Sequence, residues 1–258
     1  MTATNAMSRK LTLALLAGLG LVSPLSVHAQ GPATTATAAE QTAFTSIVFY
    51  RHDDEPTRAM CQVVKDAAAK QPDKLTPRFV QITNPAESAV VKQFNMGRAP
   101  MPLTLVTAPN GAVTGVFRKQ VTEEQLASAF VTTAMSHCMK AMQDGKLVFL
   151  TIQTTPDVTV PQGVADFLND AEFKDRVMVV PVEAADQAEA QLLTELAIGT
   201  GPDQPTVAFF APPGVVVGKF GPASSKAEIT GALHKAGKCC DDPNCKHNHA
   251  AKPGKSVR

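Results

Sequence analysis

The chain has 258 residues with a formal charge of +1, no Trp and one Tyr; losing Arg9 and Lys10 with an amino-terminal leader would leave a charge of about −1. That balance argues against a nucleic-acid partner and against an anionic membrane surface. The length suits about two ordinary domains, whose cores must be built from Val, Leu, Ala, Met and Phe.

The chain opens with the pattern of an export signal. Arg9 and Lys10 form a basic start, residues 11–22 (LTLALLAGLGLV) are apolar but too short to span a bilayer, and Val27 and Ala29 are the small residues of a cleavage site. Cleavage is expected after Ala29, so residues 1–29 read as a signal peptide and the mature protein as exported, periplasmic or extracellular. No membrane contact is expected once the signal is gone. Residues 30–45 are small and polar and read as a disordered leader.

From residue 46 onward, ordered elements are predicted. Residues 46–50 (SIVFY) form a β-branched and aromatic run, a buried strand. Pro56 sits in the first turn of a helix over 56–70. A strand over 78–82 follows, then a helix over 84–94, with Asn84 as N-cap and Glu87 completing a capping box. Strands over 102–107 and 112–118 flank Asn110-Gly111, a pair that tolerates positive φ and signals a hairpin. One long helix is predicted over 122–142, opened by a Thr122/Gln125 capping box.

The same order then returns. Strand 146–153, helix 160–170, strand 176–182 and helix 187–199, stopped by Gly199, lead into strands 205–211 and 215–220 around Pro212, Pro213 and Gly214. A helix over 225–237 closes the series with a Ser225/Glu228 capping box and Gly237 as its stop. The order implies an internal duplication of a βαβαββα unit, over 46–143 and 146–237, with a Cys/His-rich flexible tail over 238–258. The short connection at 143–146 would hold the units close, with the long helix as the spine between them.

Residues 80–117 (VQITNPAESAVVKQFNMGRAPMPLTLVTAPNGAVTGVF) resemble the second half of thioredoxin. The stretch has a strand, an Asn-Pro-capped helix, a loop, a proline opening a strand, and an Asn-Gly hairpin. The second unit keeps a Pro-Thr step at Pro205-Thr206. The resemblance implies an α/β fold of two tandem thioredoxin-like domains, each a central mixed sheet flanked by helices. It also implies a cis-proline loop that binds extended peptide, at Met101-Pro102 and Gln204-Pro205. Redox-active members carry Trp-Cys-x-x-Cys at the start of the first helix, where the helix N-terminus lowers a thiol pKa. Here residues 51–61 (RHDDEPTRAMC) have no C-x-x-C, and Asp53, Asp54 and Glu55 supply negative charge where a thiolate needs positive surroundings.

Five cysteines remain after the leader, an odd number for an exported chain. Cys61 is a weak catalytic candidate, either a single-thiol redox site or a small apolar residue on the helix's inner face. Met135, His137, Cys138, Met139 and Met142 carry donors that suit copper(I), yet Val131, Met135, Cys138 and Met142 also recur with the spacing of a core-facing stripe. His52 with Asp53, Asp54 and Glu55 reads as a hard-cation or acid–base site, or as a solvated helix cap.

In the tail, Cys239, Cys240, Cys245, His247 and His249 gather soft donors around the turn-forming 241–244 (DDPN). That set suits Zn(II) or Cu(I); a tail disulfide or an intermolecular disulfide is the alternative. The expected function is an exported, non-catalytic thioredoxin-like protein that binds protein or peptide partners and handles a soft metal or a redox partner through its tail. An atypical thiol–disulfide oxidoreductase using Cys61 or tail cysteines, and a periplasmic metal chaperone, are the alternatives.

Overall fold

The computed structural model describes residues 43–154, 160–201 and 204–237. The predicted signal peptide, most of the leader and the Cys/His tail lie outside the described residues.

β1 (Phe44–Tyr50) is central to the first sheet, and its alternation divides two cores. Val48 points to the face covered by α1 (Glu55–Lys70) and α3 (Glu123–Ser128), among Met60, Val64 and Leu126. Ile47 and Phe49 point to the other face, where α2 (Ser88–Gln93) brings Val90 and Val91. The sheet order is β2-β1-β3-β4, with β2 (Leu75–Gln81), β3 (Leu103–Thr107) and β4 (Val113–Arg118). β1 runs parallel to β2 and antiparallel to β3, and β4 is antiparallel to β3.

The second sheet repeats this plan in the order β6-β5-β7-β8, with β5 (Leu147–Gln153), β6 (Val177–Glu183), β7 (Val207–Ala211) and β8 (Val215–Phe220). The parallel and antiparallel pairings match those of the first sheet. Leu147 and Phe149 face α5 (Gln162–Leu168) and α7 (Lys226–Ala236) through Val164, Phe167 and Ile229. Val148, Leu150 and Ile152 face α6 (Ala190–Glu195) and α4 (Thr133–Gln143) through Leu192, Cys138 and Met142. The protein is therefore an α/β fold with two tandem thioredoxin-like arrangements, each a mixed four-stranded sheet flanked by helices.

Several sequence expectations are corrected. The helix expected over 122–142 is two helices, α3 and α4, separated at 129–132, where Thr132 takes an N-cap role by accepting from the Met135 amide at 3.3 Å. α3 packs in the first core and α4 in the second, so the spine between the units is α4 alone. It reaches back to the first hairpin: Gln143 bonds both Val113 backbone groups, at 2.9 and 2.7 Å, and Asn110 donates to the Ser136 hydroxyl at 3.2 Å. Glu189 at the head of α6 is buried, and its Oε1 accepts from the Ala134 amide at 2.8 Å, capping α4 from 55 residues away.

β1 begins at Phe44, inside the expected leader, because Phe44 and Thr45 pair with Leu75 and Thr76. β2 likewise begins at Leu75 and tolerates Pro77 because it is a sheet edge. Asn84 caps a short 3-10 turn by accepting from Ala86, but Glu87 ion-pairs with Arg78 at 2.9 Å and no capping box forms. In the first hairpin only Gly111 has positive φ (81°), and Asn110 accepts from the Ala112 amide with its side chain. α6 stops at Glu195, before Ala197 with its φ of 47°, so Gly199 is not its stop.

Candidate functional site

The thioredoxin resemblance directs attention to the sheet end where the first helix begins and the loop before the third strand arrives. In the first unit, β1 delivers the chain at Tyr50 into His52, Asp53, Asp54 and Glu55, all exposed. Asp54 is the N-cap of α1, and its Oδ1 accepts from the Thr57 amide at 3.1 Å. Hydrogen bonding from Thr57 holds the Asp54 carboxyl below its ordinary value. The acidic run thus serves the helix terminus, where negative charge is favoured. Met101-Pro102 is a cis peptide bond; Pro102 is buried and its carbonyl accepts from Lys119 at 3.1 Å.

Cys61 lies half-buried in the second turn of α1, beyond the acidic run. Its neighbours Tyr50, Arg58, Lys65 and Phe79 line a shallow cleft, and the Lys65 ammonium lies 5.2 Å from the Phe79 ring centre. Burial raises the Cys61 thiol pKa, with Asp53 adding to the rise and Lys65 opposing it. Cys138 is fully buried against the second sheet, and burial, with the nearby Glu189 carboxylate, pushes its thiol up to about 12. Both cysteines are free and they belong to different cores. Of the copper-type donors in α4, Cys138 and Met142 are buried, Met135 and Met139 are packed against the same core, and His137 points outward. The structure brings no three His, Cys, Asp or Glu side chains together as a metal site among the described residues. Cys239, Cys240, Cys245, His247 and His249 lie outside them.

In the second unit the register places Thr151 where the first has Val48, and Pro205 where it has Pro102, because the Ala184–Gln153 hydrogen bond repeats the Ile82–Tyr50 one. The cis bonds among the described residues are Met101-Pro102 and Pro212-Pro213, so Gln204-Pro205 departs from the expected cis form. Pro205 is half-buried, and its carbonyl accepts from Gly199 at 2.9 Å. Beside it, a cavity of about 210 Å³ opens at the ends of β5 and β7, lined by Thr151, Ile152, Val160, Thr200, Thr206 and Pro222, among others. Nothing in the sequence signals this cavity. It arises from strand ends and a loop brought together by tertiary pairing.

No family model matches the chain, and no curated protein matches it. Among solved structures, thioredoxin O2 of Arabidopsis thaliana in its oxidized state is 20% identical, covering 34% of this chain and 71% of its own, with a TM-score of 0.28. The germline-specific thioredoxin Deadhead of Drosophila melanogaster is 19% identical, covering 34% of this chain and 79% of its own, with a TM-score of 0.28. A structure described as that of a malarial protein is 8% identical, covering 34% of this chain and 92% of its own, with a TM-score of 0.29. The strand order and pairing, rather than these scores, define the fold. Among the described residues no helix is long and apolar enough to cross a membrane.

Proposed function

We propose that the protein is an exported, non-catalytic member of the thioredoxin-like superfamily that binds extended polypeptide partners at the Met101-Pro102 and Gln204-Pro205 ends of its two sheets. The observation that carries the reading is the placement of Cys61 and Cys138. Cys138 is buried in the second core and Cys61 is half-buried against the first, each with a raised thiol pKa, so neither supplies a ready thiolate at a sheet end. A sheet end with a helix terminus and no redox pair among the described residues retains the means to hold a strand-like segment. The tail belongs to the same proposal. Three thiols and two imidazoles within 239–249 are a donor set that fits Zn(II) or Cu(I), and the metal would fix the tail's conformation.

Two measurements test this. Insulin reduction and scrambled-substrate refolding should show no activity above background; turnover lost on Cys61→Ser or Cys239→Ser would install the oxidoreductase reading instead. Metal content of protein purified without chelator should fall when the chain is ended at Gly237. Equal metal content in both forms, including none in either, would remove the tail's metal role, and transfer of the ion to an acceptor would favour the chaperone reading.

A further inference from the structure

Lys119, just past β4, is the central residue of a γ-turn: its φ is 69°, and the Gln120 amide donates to the Arg118 carbonyl across it at 2.8 Å. With positive φ this turn is rare and strained for a residue that carries a side chain. The other non-glycine residues with positive φ among the described residues, Asn95 and Ala197, sit just past α2 and α6, where the left-handed conformation is ordinary. Lys119 closes no helix. Glycine would hold the turn without strain, so a lysine there forgoes stability and its side chain calls for a use. The turn is tied to the Met101-Pro102 loop, because the Lys119 amide donates to the Pro102 carbonyl at 3.1 Å. At the corresponding register the second unit has Gly221 and Pro222, and the proline ring fixes φ at about −65°.

Two arginines stand beside Lys119. Arg118 lies directly opposite Leu103, whose side chain is in the core under α2, so Arg118 projects from that same face of the sheet. Arg98 ends the short 3-10 turn that precedes Pro102, and all three cations are exposed. The acids of this sheet end, Asp53, Asp54 and Glu55, are at the head of α1, which covers the opposite face. Two of them are already engaged, Asp53 with Arg58 at 3.8 Å and Asp54 with the Thr57 amide.

We infer that the Met101-Pro102 end selects acidic polypeptide, an extended segment whose carboxylates meet Lys119, Arg98 and Arg118, with Lys119 the deciding contact. The inference rests on the polypeptide-binding reading above and deepens it, and it makes the two sheet ends unlike in the partner each takes. Exposed ion pairs contribute modestly and fade in salt. Charge here therefore sets the choice between segments and the rate of encounter rather than the bulk of the affinity. Three cations in a chain of formal charge +1 are a small footprint for a nucleic-acid backbone.

The test is titration of the full isotope-labelled chain with acetylated, amidated pentapeptides X-Ala-Val-Ala-X, X being Glu, Gln or Lys, followed by amide chemical shifts. The Glu peptide is expected to bind about five- to tenfold tighter than the Gln peptide at low salt, with shifts at Arg98, Leu103, Arg118 and Lys119, and the Lys peptide weakest. In about 0.5 M salt the advantage should shrink to about twofold. Lys119→Gln, which keeps the strained turn, should remove most of the advantage and leave the melting temperature unchanged. Lys119→Gly should remove it and raise the melting temperature. Equal binding of the Glu and Gln peptides, or a Glu advantage that survives Lys119→Gln, would overturn the inference and leave the binding reading standing. So would Glu-specific shifts centred on Thr206 and Gly221, or displacement of the Glu peptide by an equimolar thymidine oligonucleotide. A melting temperature that does not rise in Lys119→Gly would remove the argument from strain. No shift at either sheet end with any of the peptides would overturn both readings.

Discussion

Gly163, buried in α5, is the position where one added methyl group should do the most damage. A Cβ there would lie 2.1 Å from the Ser224 carbonyl oxygen, 2.9 Å from the Ser225 carbonyl carbon and 3.0 Å from the Lys226 amide. All three are backbone atoms at the head of α7, so no side chain can swing aside, and α5 and α7 must part by most of an ångström. Alanine gains about 0.5–1 kcal/mol over glycine in a helix interior. Forced overpacking costs about 1–3 kcal/mol, and disturbing the Ser225 cap adds about 1 kcal/mol. The expected outcome for Gly163→Ala is a net loss of about 1–3 kcal/mol, with each kcal/mol lowering the melting temperature by about 2–4 °C in a chain of this size. Gly231→Ala in α7 is the control. No atom lies within 4 Å of its Cβ position, so it should be neutral or stabilising by up to about 1 kcal/mol. Urea unfolding followed by circular dichroism reads both. A Gly163→Ala protein as stable as the parent would refute the close approach of α5 to the α7 cap.

Three further outcomes are expected. Glu189→Ala removes the charged acceptor of the Ala134 amide and should cost about 2 kcal/mol in urea unfolding, whereas Glu189→Gln keeps an acceptor and should cost less; equal losses would point to packing rather than capping. With Cys239, Cys240 and Cys245 changed to Ser, iodoacetamide at pH 8 should label Cys61 slowly and leave Cys138 unlabelled until denaturant is added, read by mass spectrometry. Asp54, Asp170 and Glu228 are held below their ordinary values by hydrogen bonds, chiefly from Thr57, Lys226 and the Ser225 amide respectively. Depressed carboxyl pKa values stabilise the fold above the unfolded values and lose that contribution as pH falls through the folded ones. Melting temperature should therefore drop as pH descends below about 4, and the drop should be shallower in Glu228→Gln, which has no carboxyl there to protonate.

Local chemistry was readable wherever the deciding partner is a few residues away. Thr122 with Gln125 and Ser225 with Glu228 form reciprocal caps because each box is complete within one turn. The β-branched run of β1 and the Asn110-Gly111 turn were legible for the same reason. Glu87 misled because its partner is Arg78 on β2, a pairing made by the fold. Phe44, Thr45 and Leu75 looked like loop because only their pairing with each other makes them strand. The break at 129–132 was hidden by a stripe of apolar residues that runs on without interruption, although Thr132 is a good N-cap residue. Cys61 and Cys138 could be weighed from spacing, but their assignment to separate cores needed both sheets in place. The cavity beside Pro205 was beyond sequence reasoning, since its walls come from residues up to 71 positions apart, Thr151 to Pro222.

The division of labour between α3 and α4 bears on how this gene could be cut and recombined. α4 lies beside the first unit in the chain, yet Ala134, Cys138, Ala141 and Met142 fill the second core. A fragment starting at Lys146 would carry a sheet with one face covered by α6 but not by α4, and a fragment ending at Gln143 would carry an apolar helix with no sheet to cover. The workable seam is the stretch 129–132, where Thr132 already begins a helix afresh. Even there, Gln143 and Ser136 grip the first hairpin, so the halves are poor candidates for shuffling as independent modules.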